Sequence, residues 1–429
     1  MAGYSFCKCN VKPRVCRLFM AWGRRWPDGK TRMLISNSAN GALLVLGAVL
    51  FAVLALHLGT MALVLWRRAR RAATPPNAPT ELPFICLLRP VCGLDPFDAE
   101  TLASSFTLDY PNYEVVFCAA DPKDPVIGLV QRLIAGFPDV RARILIGEEK
   151  ITANPKLNNL QKGWVATQAQ WVAMADSNLL LPKSYLRDLV ATWHEGTGLV
   201  TSPPLGDRAE GLWGAVECAF LNTNQARWQL AADALGIGFA QGKTMFWQRE
   251  TLEAVGGLKA LGRKLAEDVT ATKVVREAGG KVRLVDAPYA QPIGRRAARA
   301  VWDRQLRWAR VRRDGFKSLF ALEIFNGPAL GLVAALGLGL MLGAVLPALI
   351  AFLVIWYGSE ALFARAMGWG EGLRDIAAYA LRDAMLPALW LVTWIRPGFV
   401  WRGTVMGADA TAQKTLPKAS PPEFEVAGV

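Results

Sequence analysis

Histidine is almost absent from this chain: among 429 residues there are only His57, inside an apolar run, and His194. That scarcity argues against histidine-rich zinc centres, a Ser-His-Asp triad built on His57, and histidine proton relays. Carboxylates and Arg or Lys are left as the groups to carry chemistry. Cysteine is sparse as well: Cys7, Cys9, Cys16, Cys86, Cys92, Cys118 and Cys218 form no C-x-x-C pair, which does not read as a disulfide framework and points to a reducing compartment. Cys7, Cys9 and Cys16 have no histidine beside them and are interleaved with Arg14 and Arg17, so they read as part of a tail rather than as metal ligands. Charge is thin, 20% of residues against 52% hydrophobic, and the uncharged runs exceed what a soluble helix needs. A disordered or purely soluble protein is thereby excluded.

What is present is ordered along the chain. Residues 1–40 form a basic, aperiodic tail, and residues 41–66 carry no charge, enough for one tilted membrane helix. Arg67, Arg68, Arg70 and Arg71 follow at once, which by the positive-inside rule puts the next domain on the cytoplasmic face. Few lysines beside many Ala and Arg suggest a bacterial inner membrane. Arg24, Arg25, Lys30 and Arg32 conflict with that asymmetry, and a chain starting at Met33 would remove the conflict. A proline-rich linker at 73–83 leads into a domain over about 82–290, where short β-rich runs (84–88, 113–118, 144–146, 171–175, 199–201, 244–247 and 282–285) alternate with helical patterns. This is α/β order around a mostly parallel sheet.

Eight arginines lie between Arg295 and Arg313, with Val301, Trp302, Leu306 and Ala309 gathered on one side of the helical wheel. Residues 295–320 therefore read as a basic amphipathic helix in the membrane interface, which accounts for the net charge of +14 better than a nucleic-acid surface does. Residues 324–396 read as C-terminal membrane helices: 324–346 and 348–366 broken at Pro347, then 376–395 with Arg382 and Asp383 paired inside it. Residues 408–429 form a polar tail, and no feature sets an oligomeric state.

Asp121 ends the apolar run Val115–Ala120 and so falls at the carboxyl edge of a parallel sheet, where open α/β folds bind ligands, although Asp-Pro-Lys-Asp-Pro is also good turn chemistry. Asp176-Ser177-Asn178 ends a second buried run with hard oxygen donors, suited to Mg2+ or Mn2+ on a nucleotide diphosphate; an Asx-turn is the alternative. Asp268, after Glu267, opens a helical pattern, where an acid serves as a cap or as a general base. Asn154-Pro155-Lys156-Leu157-Asn158-Asn159 places a cation and amides before a helix, suited to phosphate or ribose. Arg304-Gln305-Leu306-Arg307-Trp308 sets two arginines and an indole at the membrane interface, a diphosphate-binding pair beside a flat face for a sugar or lipid.

Three acids on an α/β sheet, then R-x-x-R-W, then apolar helices, resemble the processive and lipid-directed glycosyltransferases. The phrases at 108–115, 121–125 and 154–160 resemble most closely the ceramide glucosyltransferases of family 21, over about residues 82–405. The resemblance implies a GT-A nucleotide-sugar-binding domain, a Rossmann-like mixed sheet, set between one N-terminal and about three C-terminal membrane helices. It implies that Asp121 holds the uridine, that Asp176 and Asn178 hold Mg2+ or Mn2+ and the diphosphate, and that Asp268 is the catalytic base. Lys156, Asn158, Arg304, Arg307 and Trp308 would contact the UDP-sugar donor, and a membrane lipid such as ceramide would be the acceptor. Two departures stand out: Thr223-Asn224-Gln225-Ala226 replaces the His-Pro that animal members carry after Thr-Ser, and Asp176-Ser177-Asn178 lacks a second acid. Diacylglycerol or a hopanoid remains an alternative acceptor. Too few spans follow the domain for a processive synthase, and a non-catalytic membrane scaffold is disfavoured by the presence of all three acids.

Overall fold

A computed structural model of the chain describes residues 29–73, 82–263, 266–370, 372–395, 399–401 and 404–406. The expected tails, the cysteines at 7, 9 and 16 and most of the proline-rich linker lie outside those residues.

Seven strands make the central sheet: β1 (Ile85–Val91), β2 (Tyr113–Ala119), β3 (Arg141–Ile146), β4 (Trp171–Ala175), β5 (Thr197–Thr201), β7 (Thr244–Gln248) and β8 (Lys281–Leu284). The order is β3-β2-β1-β4-β7-β5-β8. The strands β1 to β4 run parallel, and the centres of β1, β2 and β4 are apolar because both faces are covered: Leu87, Val115 and Phe117 pack one way, Leu88, Val116 and Met174 the other. Strand β7 is antiparallel to both of its neighbours, so the sheet is mixed, as the GT-A type requires. Two further strands, β6 (Pro204–Glu210) and β9 (Tyr289–Arg295), pair in parallel as a separate ribbon. Neither was expected, because each mixes proline, glycine and charge with few β-branched residues.

Helix α1 (Gly29–Ala73) begins well before residue 41, and its stretch 40–73 passes for a membrane span. At 1.5 Å per residue those 34 residues reach about 51 Å, more than the ~30 Å hydrocarbon layer. The surplus is used for docking. Met61 and Val64 pack against Leu230, Ala231 and Leu284 of the sheet domain. Arg67, only 5% exposed, pairs with Asp233 at 2.6 Å and donates to the carbonyls of Leu284 (2.8 Å) and Val285 (2.9 Å). Part of the arginine cluster read as a topology signal thus also fixes the domain to its anchor.

The sheet domain meets the apolar helices through helix α2 (Gly211–Ala219), a π-helical turn (Phe220–Ala226) and helix α3 (Arg227–Ala234). After the sheet come helix α4 (Glu267–Glu277) and the arginine-rich helix α5 (Ala298–Gly315), then the apolar helices α6 (Ala329–Leu342), α7 (Val345–Met367) and α8 (Leu373–Ile395). Among the described residues three helices are long and apolar enough to cross a membrane; a fourth span results if residues 317–326 and α6, bent by 46°, act together. The break between α6 and α7 falls at Gly343, whose φ of +69° glycine adopts without a side-chain clash. Pro347 sits instead in the first turn of α7, where its missing N–H leaves no helical bond unmade.

Candidate active site

The carboxyl edge of the sheet gathers the charged residues. Strand β4 delivers Asp176, and the antiparallel start of β7 lies directly alongside: Ala175 is in register with Thr244, and the Asp176 N–H donates to the Lys243 carbonyl at 3.0 Å. The ammonium of Lys243 therefore meets Asp176 Oδ2 at 3.0 Å and Asn178 Oδ1 at 2.9 Å. Lys156 takes Asp176 Oδ1 at 2.7 Å and Glu267 Oε1 at 2.9 Å, and donates to the Gly242 carbonyl at 2.6 Å. Burial works against the charged carboxylate of Asp176, but the two ammonium groups outweigh it and hold the acid well below its usual range. For Lys156 burial opposes the charge too, and Asp176 with Glu267 more than offset it, so its pKa is raised. For Lys243 burial wins and its pKa is lowered, with Asp176 pulling the other way and Arg304 adding to the depression.

Helix α4 supplies the other two acids. Glu267 Oε2 accepts from Asn154 Nδ2 at 2.9 Å, and Asn154 also caps the helix Pro155–Ala166 by accepting from the Lys156 N–H at 2.9 Å, with proline at the first helical position. Asp268 Oδ1 accepts from the Val269 N–H at 2.7 Å and Oδ2 from the Gly242 N–H at 3.2 Å. Burial, with the neighbouring Glu267 carboxylate second, pushes the Asp268 acid up to about 6, a value suited to a group that takes a proton near neutral pH. Gly242 is where these lines cross. A Cβ on it would stand 2.8 Å from Glu267 Oε1, so Gly242→Ala must displace the Glu267 carboxylate and with it Lys156. Purified Gly242→Ala protein is expected to keep its fold and lose about ten-fold or more in turnover, measured as initial rate against wild type.

The remaining expected residues divide. Asp121 is exposed at the end of β2 and its Oδ1 accepts from the Lys123 N–H at 2.8 Å, an Asx-turn at the sheet edge. With β1 between them, Asp121 and Asp176 lie two strands apart, about 10 Å. Asp124 tethers the neighbouring loop by accepting from the Gly93 N–H at 2.9 Å. Arg304 turns inward and pairs with Glu217, 1% exposed, at 3.0 Å, beside Lys243. Arg307 and Trp308 are half-buried on the same helix. Helix α5 rests its Val301 and Leu306 on α2 and α8, and its end lies on α4, where Lys273 donates to the Gly315 carbonyl at 2.8 Å. Asn158 braces the preceding loop: its Oδ1 accepts from the N–H groups of Ile151 (3.1 Å) and Thr152 (2.9 Å), and its Nδ2 donates to Glu148 (3.2 Å).

The expected Mg2+ or Mn2+ ligands do not fit a cation as they stand. Both oxygens of Asp176 and the Asn178 oxygen are held by ammonium groups, and among the described residues no three of His, Cys, Asp and Glu cluster as a metal site. Two unit positive charges about 4 Å apart near a protein surface repel by about 4 kcal/mol, and a dication doubles that. Lys243, Glu267, Asn154 and Glu217 were not singled out from sequence as binding groups. For Lys243 the signal is the Gly-Lys-Thr turn before β7, legible only once that strand is known to run against β4.

Helices and sheet together have clear relatives. The Caenorhabditis elegans protein named ceramide glucosyltransferase 3 is 25% identical over 348 residues, covering 79% of this chain and 76% of that one. The beta-monoglucosyldiacylglycerol synthase of Synechocystis is 23% identical over 250 residues, 55% of this chain and 51% of its own length. A mannosyltransferase from Pyrobaculum calidifontis, solved with GDP-Man and Mn2+, covers 81% of this chain and 99% of itself at 20% identity and a TM-score of 0.49. The family model described as Glycosyl transferase family 21 matches residues 47–413, from within the first membrane helix past the last, and the chain belongs to that family of glycosyltransferases.

Proposed function

We propose that this protein is a membrane-bound inverting glycosyltransferase that moves glucose from UDP-glucose to the primary hydroxyl of ceramide, giving β-glucosylceramide and UDP. The observation that carries the reading is Asp268, an acid raised to about 6 at the carboxyl edge of the sheet, in one hydrogen-bonded cluster with the cation Lys156 and beside the R-x-x-R-W helix. In a single displacement Asp268 takes the proton of the acceptor hydroxyl as its oxygen attacks the anomeric carbon, and the bond to UDP breaks with both electrons leaving on the phosphate. Asp121 at the sheet edge receives the uridine. Lys156, Arg304 and Arg307 face the diphosphate, where fixed positive charge is most useful as negative charge builds on the leaving group. The catalytic domain lies on the cytoplasmic side, and the acceptor reaches it from the bilayer.

A base must be deprotonated, so kcat/KM should fall about ten-fold per pH unit below about pH 6 and level off above it. The Asp268→Asn protein should show no such limb in its residual rate.

Diacylglycerol or a hopanoid is the second acceptor reading. In its favour, Thr223 and Gln225, in the segment that departs from the animal pattern, are tied to Arg382 (2.8 Å) and Gln305 (3.1 Å). The test crosses UDP-glucose, UDP-galactose and UDP-GlcNAc with ceramide, diacylglycerol and a hopanoid polyol on detergent-solubilised protein. Selective labelling of ceramide by UDP-glucose is the expected result; labelling of another lipid transfers the assignment to that acceptor.

A further inference from the structure

We infer that Lys243 stands in place of a divalent cation, and that this enzyme binds and cleaves its nucleotide-diphosphate sugar without one. The inference rests on the glycosyltransferase reading and specifies how its donor site handles charge. A D-x-N sequence offers a cation two oxygens, and here those two, Asp176 Oδ2 and Asn178 Oδ1, converge on the Lys243 ammonium at 3.0 and 2.9 Å. The lysine is not a flexible surface chain reaching in. Its carbonyl accepts from Asp176, its N–H donates to Gln241 Oε1 at 3.2 Å, and the next residue is locked in register against β4.

Among the described residues, Asp176, Glu267 and Asp268 already have partners. Asp176 Oδ1 and Glu267 Oε1 share Lys156, Glu267 Oε2 accepts from Asn154, and both oxygens of Asp268 accept backbone N–H groups. The charges also balance. Lys156 and Lys243 match Asp176 and Glu267, and Arg304, which lies near Lys243, matches Glu217, so no pair of unmatched carboxylates waits there for a dication. In the transfer step the acceptor oxygen bonds to the anomeric carbon, the bond from that carbon to the diphosphate breaks, and the proton goes to Asp268. Lys243 stays protonated throughout and donates hydrogen bonds to the departing phosphate oxygens, the part a metal plays elsewhere.

The experiment titrates UDP into the full-length detergent-solubilised protein by calorimetry, once in excess EDTA and once in Mn2+, and follows transfer under both conditions. Affinity and rate are expected to differ by less than about three-fold between the two. Lys243→Met, close in volume, should weaken UDP binding by about ten-fold or more in EDTA, because a charge-assisted hydrogen bond is lost. Lys243→Arg keeps the charge, should retain binding in EDTA, and serves if the Met protein does not fold. Wild-type binding and transfer that vanish in EDTA and return with Mn2+ would overturn the inference and leave the glycosyltransferase reading intact. No UDP binding under any condition would remove that reading, and the inference with it.

Discussion

Replacing Asp268 by Asn is expected to reduce transfer by about 100- to 10,000-fold while UDP binding stays within about three-fold of wild type. The substitution keeps an oxygen that accepts the Val269 or Gly242 N–H but removes the carboxylate proposed to take the proton. Because Asp268 contacts Gly242 and not the lysines directly, the Lys156–Asp176–Lys243 arrangement should survive it. Radiolabelled transfer and UDP calorimetry on the same preparation separate the two effects. A large loss of UDP affinity would assign Asp268 to the donor site and leave the base unidentified.

The second large effect is expected away from the chemistry, in the helices. Arg382, fully inside the protein, holds Glu360 through two bonds of 2.6 and 3.0 Å, Asp383 at 2.7 Å and Thr223 at 2.8 Å. It thereby joins α7, α8 and the π-helical turn. Next to it, Arg227 donates to His57 Nδ1 at 3.1 Å, which fixes the proton of the imidazole on Nε2, facing the Trp356 carbonyl at 3.1 Å. Arg382→Met would leave Glu360 and Asp383 buried without their cation, a change that costs about 3–5 kcal/mol. The expected observation is a clear fall in melting temperature in detergent. Adding Glu360→Gln and Asp383→Asn should recover most of it, since a network removed whole costs far less than one left half-paired. An unchanged melting temperature in the single variant would mean that the network does not hold the helices together.

The sequence shows some of this directly. Strands β2 and β4 carry apolar runs that lead into the polar residues Asp121 and Asp176, because both faces of a central parallel strand are buried, and that pattern is local; β1 breaks it with the buried Arg89. The acids at 121, 176 and 268 could be placed for the same reason: each follows or opens a regular element. What was not legible depends on direction and distance. Lys243 reaches Asp176 only because β7 is antiparallel, and a run such as Thr244–Gln248 carries no mark of its direction. Asn158 has the composition of a ligand group but lies one helical turn past Asn154, on the side that meets the loop before it. Arg304 falls on the basic side of a helical wheel, yet Glu217, 87 residues earlier, draws it inward. Arg382 and Asp383 were readable as a pair, while Glu360 and Thr223 join them only through packing between helices.

The central claim, inverting transfer of a hexose to a lipid hydroxyl with Asp268 as base, is tested most directly by the anomeric configuration of the product. Wild-type protein in detergent, given UDP-glucose with its α-linked diphosphate and ceramide, should yield a glycolipid whose anomeric proton shows the large coupling of a β-linkage by NMR, and Asp268→Asn should yield almost none. An α-linked product, or an Asp268→Asn protein as active as wild type, would contradict a single displacement driven by this carboxylate.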